Sequence, residues 1–227
     1  MLNIDCKINP ASINIDLLNS ISILEPFGAE NPQPLFGLYN MELSGIQPVC
    51  AGKHLRRSLR RKNASISVIL FSVTQEEFAF VVGDVVDVAV RLSVNEYQGK
   101  AQVSIQAKAI KLSAVADCDV CESMRAYEDF YLGDSLSEGD KVSLHIDRDF
   151  CGNVYRFVKS NNGWNHSAEM LCYRLGLSAE KTGACQIALD VFSELGILVY
   201  NEGKYIIPEI NVKSALENSD IFRRAAE

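Results

Sequence analysis

The sequence predicts an α+β fold, in which a small five-stranded β-barrel precedes a helical domain. Two changes of period support this prediction. From about residue 34 to residue 113, apolar and polar side chains alternate, as in antiparallel strands with one buried face. From about residue 143 the apolar side chains recur at helical spacing. The 227 residues, 48% of them hydrophobic and 22% charged, are enough for two small soluble domains.

Residues 1–33 are predicted to form a helix and a structured junction ahead of the barrel. The helix begins near Ser12 as its N-cap. Its apolar stripe consists of Ile15, Leu18 and Ile21. Three prolines then fix φ and remove backbone donors, so no helix continues through residues 24–34. Phe27 lies among these prolines and needs a buried environment, which indicates a structured junction instead of a flexible linker.

The alternating region supplies five strand candidates. They cover residues 35–43, 54–60, 66–71, 86–92 and 103–107. The polar segment 95–100, which contains Gly99, is typical of a hairpin connection between the last two strands. Five strands in about 80 residues favour a small barrel.

Four motifs occur in an order that resembles a known family. The first, at residues 24–34, reads Leu-Glu-Pro-Phe-Gly-Ala-Glu-Asn-Pro-Gln-Pro, and the others lie at residues 52–56, 83–88 and 95–100. Together they resemble the RecJ family of single-stranded-DNA-specific 5′ to 3′ exonucleases. The family usually has glycine where this chain has Glu30, so a turn that needs positive φ there would be strained or rearranged.

The resemblance implies an oligonucleotide-binding (OB) fold for residues 34–113. It also implies that residues 1–33 are the residual end of a preceding catalytic subdomain and its junction. Catalysis in the family uses clustered Asp and His side chains, including an Asp-His-His motif, to hold two divalent metals. This chain contains no Asp-His-His. We therefore expect no enzyme activity and no cofactor in this chain, with Mg²⁺ or Mn²⁺ implied for the missing catalytic core.

The remaining sequence is predicted to contain a connection and a helical domain. Residues 114–142 are interpreted as a linker or connecting segment. Three helices are expected within residues 143–227, the first capped by Asp147, the second near residues 166–175 and the third after Ser178. A hairpin around residues 201–203 follows. Three helices followed by a hairpin resemble a winged helix, and the order also resembles C-terminal domains of some RecJ proteins.

The third of these helices is a poor candidate for reading duplex DNA. Its polar face carries Asp190 and Glu194 beyond the first turn, and these acids would repel a DNA backbone. We therefore favour a docking role for the helical domain over DNA reading.

One stretch of the barrel is strongly basic on an otherwise acidic chain. The net charge of −7 argues against a protein that coats nucleic acid with its whole surface. Residues 50–62 carry no acid and six cations, namely Lys53, Arg56, Arg57, Arg60, Arg61 and Lys62. Strand alternation places Arg56 and Arg60 on one face and Arg57 on the other or in the adjoining loop. Phosphate contact is favoured over a merely solvated face, with Lys53, Arg56 and Arg60 as the first candidates.

Four further residues are candidates for the same site. Tyr97 is interpreted either as a base-stacking side chain or as part of the hairpin packing. Arg91 and Lys100 either extend the electrostatic track or are merely exposed. His54 either donates to phosphate or caps its loop.

The cysteines do not indicate a disulfide framework or a strong metal site. Their number, seven, is odd, and the sequence shows no export signal, so reduced thiols are expected. Cys118 and Cys121 have the spacing of half a zinc site, but the three histidines, His54, His145 and His166, are scattered. No apolar run approaches the ~20 residues that span a bilayer, so a cytoplasmic protein without a membrane partner is expected.

The leading hypothesis is the C-terminal part of a RecJ-like exonuclease that binds single-stranded DNA for a nuclease core, in DNA repair and recombination. The core and other repair or replication proteins are its expected partners. One alternative is a protein-interaction module that docks the core or such a partner. A less favoured alternative is a winged-helix regulator that recognises duplex DNA.

Overall fold

The computed structural model describes residues 2–97, 100–209 and 214–226, with only the backbone described at Tyr97 and Lys100. The chain divides into two compact units, the first ending at Ala114 and the second beginning at Val115. None of the described helices is long and apolar enough to cross a membrane.

The first unit is built around six strands. They are β1 (Cys6–Lys7), β2 (Phe36–Val49), β3 (His54–Arg61), β4 (Ala64–Phe71), β5 (Val85–Tyr97) and β6 (Lys100–Leu112). The sheet order is β1-β2-β3-β4-β6-β5, and an additional β2–β5 pairing closes strands β2 to β6 into a barrel. The β1–β2 and β4–β6 pairs are parallel and the others antiparallel. The five predicted barrel strands are therefore confirmed.

The alternation of side chains builds the interior of this barrel. In the middle of the strands the apolar side chains that point inward are almost fully buried, because burial of apolar surface is the main favourable contribution to folding. The best-buried members of this core are Leu38, Met41, Leu43, Leu55, Leu59, Val68, Val86 and Val90. The core residues fix which side chains of the same strands face outward, and thereby position the candidate site.

Strand β2 closes the barrel because it is long and bends. Its first part pairs with β5 and its second part with β3, with irregular register between Leu38 and Met41 and between Leu43 and Gly45. Asn40, inside the first irregularity, has a φ of 53° and donates its backbone N–H to the Asp87 carboxylate at 2.9 Å. Asparagine tolerates this left-handed conformation better than most residues. The resulting bend allows β2 to pair with β5 along its first part and with β3 along its second part.

The N-terminal segment belongs to the barrel unit. Strand β1 pairs with the start of β2, and helix α1 (Ile15–Ile21) packs against β5 and β6. Ile8 and Leu18 join the barrel core. The predicted N-cap at Ser12 is wrong, because the Asn14 side chain accepts the backbone N–H of Leu17 at 2.9 Å and begins the helix instead. The origin of this segment in a catalytic subdomain stays a prediction.

The proline-rich junction is held by Asn31. Its side-chain Nδ2 donates to the carbonyls of Leu24 and Pro26, at 2.8 and 3.0 Å, across a cis Glu25–Pro26 peptide. Phe27 is half-buried. Glu30 is not among the residues with positive φ, so the chain accommodates it without the strain that a left-handed turn would impose.

The second unit is mainly helical. Its helices are α2 (Asp117–Leu132), α3 (Glu138–Leu144), α4 (Arg148–Ser160), α5 (Ala168–Arg174), α6 (Thr182–Glu194) and α7 (Asp220–Ala226), and its hairpin is β7 (Val199–Asn201) with β8 (Lys204–Ile206). The α4-α5-α6-hairpin order matches the prediction, and the Asp147 side chain caps α4. The interpretation of residues 114–142 as a linker needs correction. Helices α2 and α3 occupy most of this segment, and both pack against α6.

Helix α6 is packed among the other helices of this unit, so its acidic side chains are not on the solvated face that the sequence predicts. Nine of its residues are buried. Asp190 accepts hydrogen bonds from the hydroxyls of Tyr127 and Tyr131, each at 2.9 Å, and Glu194 accepts the Ser219 hydroxyl at the start of α7. The helix is thus unavailable as a major-groove reader because it is enclosed, and these two acids have structural partners instead of forming a solvated polar face.

Candidate nucleic-acid interface

Strand β3 lies within the basic stretch at residues 50–62 and pairs with β4. The outward side chains of these two strands form a common outer face of the barrel. Antiparallel register places Arg60 opposite Ser65, Ser58 opposite Ser67 and Arg56 opposite Ile69. Directly opposed residues share one face of a sheet. The set His54, Arg56, Ser58, Arg60, Ser65, Ser67, Ile69 and Phe71 is called the outer face below. It combines cations, hydroxyls and apolar groups on rigid strands.

Arg56 is the cation best placed for a ligand on this face. Its side chain is exposed and lies in the middle of the outer face, between Gln47 of β2 and Ile69 of β4. Within the described parts of the chain it forms no salt bridge. A guanidinium in this state has its planar donors available for a phosphate.

Arg60 also points outward, but it has an acidic partner. Its Nη2 lies 2.7 Å from Oε1 of Glu42 on β2, and both side chains are largely exposed. Exposed ion pairs of this kind contribute about 0–1 kcal/mol, so a phosphate can compete for the arginine. Arg60 is therefore a weaker site than Arg56 in the free protein.

An aromatic pair, His54 and Phe71, lies at the other end of the outer face. His54 is one of the candidates predicted from the sequence, whereas Phe71 is not. The rings of His54 and Phe71 meet edge to face with centroids 5.0 Å apart, and Phe71 is 47% exposed. Nδ1 of His54 accepts the Ser72 backbone N–H at 3.0 Å, which in the neutral ring leaves the proton on Nε2. The alternation of side chains along β4 could have identified Phe71, because residues 65, 67, 69 and 71 share one face of the strand.

Arg57 is not part of this surface, which corrects its place among the phosphate-contact candidates. It points inward between Leu55 and Leu59 and is fully buried. Its guanidinium lies against the ring of Phe78, and burial lowers its pKa from 12.5 to about 10. Alternation along β3 requires this inward position, so Arg57 cannot reach an external phosphate in this conformation.

Arg91 continues the outer face around the barrel. It is paired in register with Gln106 of β6, which pairs with Ile69, which in turn pairs with Arg56. The two arginines thus share one transverse row, separated by three strand spacings of ~4.8 Å each. Arg91 is half-buried, and its Nε has no hydrogen-bond partner in the described parts of the chain.

The remaining candidates lie at the two ends of the β3–β4 hairpin or outside the described atoms. Lys53 is exposed in the turn between β2 and β3. Arg61 and Lys62 lie at the opposite end, where Lys62 has a φ of 51° in the turn to β4. The side chains of Tyr97 and Lys100 lie outside the described residues, so their predicted stacking and electrostatic roles stay predictions.

Possible metal ligands are not clustered in the described parts of the chain. Among the described residues, no three His, Cys, Asp or Glu side chains lie close enough to hold a metal ion. Cys118 and Cys121 are exposed on α2, and the hydrogen bond from the Cys118 thiol to Asp119 raises the pKa of that thiol. The expectation of Mg²⁺ or Mn²⁺ concerns catalytic domains and stays a prediction.

The sequence of the first unit is similar to sequences of known proteins. Residues 4–109 match the family model described as the RecJ OB domain. A single-stranded-DNA-specific exonuclease RecJ from Bacillus subtilis (strain 168) is 22% identical over 129 residues, which are 56% of this chain and 16% of that relative. The chain thus spans about a sixth of the relative's length.

Two solved structures illustrate the range of matches. RecJ from Thermus thermophilus, in complex with Mg²⁺, is 25% identical, with 52% of this chain and 20% of that chain covered and a TM-score of 0.34. The mitochondrial single-stranded DNA binding protein Rim1 from S. cerevisiae is 16% identical, with 35% of this chain and 95% of that chain covered and a TM-score of 0.30.

The strand order and closure of the first unit define it as an OB fold, a small barrel found in proteins that bind oligonucleotides and oligosaccharides. The matched family is narrower than this class. Residues 4–109 of this unit are similar in sequence to the RecJ OB domain.

Proposed function

We propose that this chain binds single-stranded DNA on the outer face, as the C-terminal part of a RecJ-like 5′ to 3′ exonuclease. The observation that carries the proposal is that Arg56 is exposed and has no ion-pair partner among the described residues. It lies on the outer face, whose other end carries the exposed ring of Phe71. Cations follow the phosphates of a single strand, and an aromatic ring stacks a base of any identity. The face therefore fits binding without sequence preference.

In this proposal the barrel holds substrate for a metal-dependent nuclease site on catalytic domains that this sequence does not include. The chain alone then has no nuclease activity. Its role lies in DNA repair and recombination in the cytoplasm, and its partners are the catalytic core and other repair or replication proteins. The RecJ OB domain match supports the family setting.

A docking module is the second candidate. The β7–β8 hairpin exposes apolar side chains, since Val199, Tyr200 and Ile206 are all solvent-accessible. Exposed apolar groups of this kind suit contact with another protein surface. The third candidate, a duplex-DNA regulator, needs a helix that can enter the major groove, and the burial of α6 argues against that use of it.

Fluorescence anisotropy separates these functions. Labelled single-stranded and duplex oligonucleotides are titrated with the chain at several salt concentrations, together with Arg56→Gln and a matched control, Arg156→Gln on α4. We expect salt-sensitive single-strand binding that weakens in Arg56→Gln, with a salt slope reduced by about 0.7, and no change in the control. Absence of single-strand binding even at low salt contradicts the proposal and favours the docking module.

A further inference from the structure

An open groove lies at the turn end of the β3–β4 hairpin, next to the outer face. Its volume is about 870 Å³. Two chain segments line it, one covering residues 7–11 with Ile13 and the other covering residues 61–66. The first segment is held against the barrel by the β1–β2 pairing and by the packing of residues 10–12 against β4. The groove is thus a product of the fold of the first unit.

The groove is basic. Lys7, Arg61 and Lys62 line it, and its lining includes no aspartate or glutamate. In the described parts of the chain none of these three cations forms a salt bridge, while Nζ of Lys7 lies 5.0 Å from the centroid of the Tyr39 ring. Three cations converging on one concave surface of an acidic chain create a local positive potential that attracts anions.

The walls of the groove suit a nucleotide as well as a phosphate. Its apolar lining includes Ile8, Pro10, Ile13 and Ile66, of which the first two are buried. Asn63 and Ser65 are exposed polar side chains on the same lining. Cations beside apolar surface match the alternation of phosphate and sugar-base along a single strand.

The groove is continuous with the outer face. Ser65 lines the groove and is also opposite Arg60, while Arg61 pairs with Ala64 at the beginning of the turn. From His54 to Arg61 strand β3 spans seven residue steps, or about 23 Å. A strand laid along this hairpin therefore passes from the aromatic end of the outer face to Arg60 and then reaches the groove.

We propose that this groove is a second phosphate-binding region for the same DNA strand, with Lys7 and Lys62 as its phosphate contacts. The ligand class is the phosphodiester backbone of single-stranded DNA. The proposal rests on the proposed function of the outer face and extends its footprint beyond the hairpin turn. It assigns a binding role to Lys7, a residue outside the basic stretch at 50–62.

The test is a length series of labelled oligothymidylates with the full chain. The variant is Lys7→Gln/Lys62→Gln, and the control is Lys159→Gln/Lys204→Gln, which changes the net charge equally through exposed lysines of the second unit. Oligomers of about 5 and about 15 nucleotides cover the usual range of OB site sizes. The short oligomer can occupy the outer face alone, whereas the long one also reaches the groove.

We expect the variant to bind the long oligomer about 3- to 10-fold more weakly, because two exposed ion pairs are lost. Its salt slope should fall by about 1.4, since each phosphate contact on a single strand contributes about 0.7. Binding of the short oligomer and of the control should not change. Wild-type affinity of the variant for the long oligomer overturns the groove proposal and leaves the proposed function standing. A wild-type chain that binds no single strand overturns both.

Discussion

The guanidinium carbon of Arg57 lies 3.6 Å from the centroid of the Phe78 ring. The arginine is fully buried, and its Nε and Nη2 have no hydrogen-bond partner in the described parts of the chain. Its Nη1 donates only a long bond, 3.4 Å, to the carbonyl of Arg56. The aromatic face offsets part of the cost of burying this charge, but the missing hydrogen bonds each cost about 1–3 kcal/mol.

Replacing Arg57 by a similar apolar side chain should therefore stabilise the barrel. We expect Arg57→Met to raise the free energy of unfolding by about 1–2 kcal/mol, since apolar replacements of buried charges are often neutral or stabilising. Phe78→Ala should lower it by about 3 kcal/mol. Single-strand affinity should be unchanged in Arg57→Met, in contrast to Arg56→Gln. Thermal unfolding with hydrogen exchange of the β3 and β4 amides measures the first effect, and a destabilised Arg57→Met variant contradicts this account.

The same substitution has a defined pH dependence. The pKa of Arg57 is lowered by burial to about 10 in the folded chain, against an ordinary value of 12.5. Between these two pKa values the unfolded chain binds one proton more than the folded chain. The cost of burying the charged guanidinium is therefore fully present below about pH 10 and is relieved as pH rises above it. The stability difference between Arg57→Met and wild type should be constant from about pH 5 to about pH 9. A difference that varies across this range would mean that another group is involved.

Phe71 should contribute to single-strand affinity by stacking. Phe71→Ala removes the exposed ring beside His54 and should weaken binding by about 1–3 kcal/mol, the usual contribution of base–aromatic stacking. Tyr200→Ala is the matched control, because Tyr200 is an exposed aromatic residue of the second unit. Anisotropy titrations with one oligothymidylate measure both. Equal affinities of Phe71→Ala and wild type would exclude this ring from the interface.

The tyrosines around Asp190 should make the second unit sensitive to alkali. Burial and the Asp190 charge raise the pKa of Tyr127 and Tyr131, and burial raises the pKa of Tyr205 to about 12. The unfolded chain loses these protons from about pH 10, so the stability is fully present below that pH and falls above it.

Tyr127 and Tyr205, which are half-buried, should each contribute a decrease of up to about 1.4 kcal/mol per pH unit above pH 10. Tyr131 is 41% exposed and should contribute less, because solvent screens its interaction with Asp190. Urea unfolding followed by the fluorescence of Trp164, the single tryptophan, measures this in the second unit. The free energy of unfolding of Tyr127→Phe/Tyr131→Phe should decline less steeply with pH than that of wild type. An unchanged slope in the double variant would show that these hydroxyls are not the titrating groups.

Gly183 tests the close approach of α6 to its neighbours. A Cβ at this position would lie 2.6 Å from Cδ2 of Leu144 and 2.7 Å from the Ser123 carbonyl oxygen. Overpacking of this kind costs about 1–3 kcal/mol, which exceeds the gain of about 1 kcal/mol from replacing glycine by alanine in a helix.

Gly183→Ala should therefore destabilise the second unit, whereas Gly152→Ala on α4 should stabilise it. A Cβ at Gly152 would meet nothing within 4 Å. Trp164 fluorescence in urea reports both variants. If both substitutions stabilise the unit, the packing of α6 described above is incorrect.

Local alternation predicted much of the barrel and part of its site. The period of two gave the five strands and separated Arg56 and Arg60 from Arg57. It could not reveal the Glu42–Arg60 pair, because their register depends on the irregularity of β2 between Leu43 and Gly45. The groove was likewise inaccessible to sequence reasoning, since Lys7 reaches it only through the β1–β2 pairing.

Long-range contacts explain the errors in the helical unit. Asp190 on α6 looks like a solvated acid in sequence, yet its partners Tyr127 and Tyr131 come from α2, about 60 residues earlier. The acidic segment 114–142 resembles a linker by composition, but α2 and α3 pack against α6. Composition and period describe one element at a time, so they cannot show which element is enclosed by the others.

The central claim is that the outer face of β3 and β4 is the single-stranded-DNA interface, and an amide NMR titration of the full ¹⁵N-labelled chain with an oligothymidylate tests it most directly. We predict salt-sensitive shift changes concentrated at Arg56, Ser58, Ser67 and Phe71, with little change in the helical unit. Changes confined to residues 115–226, or no changes at low salt, would contradict the account.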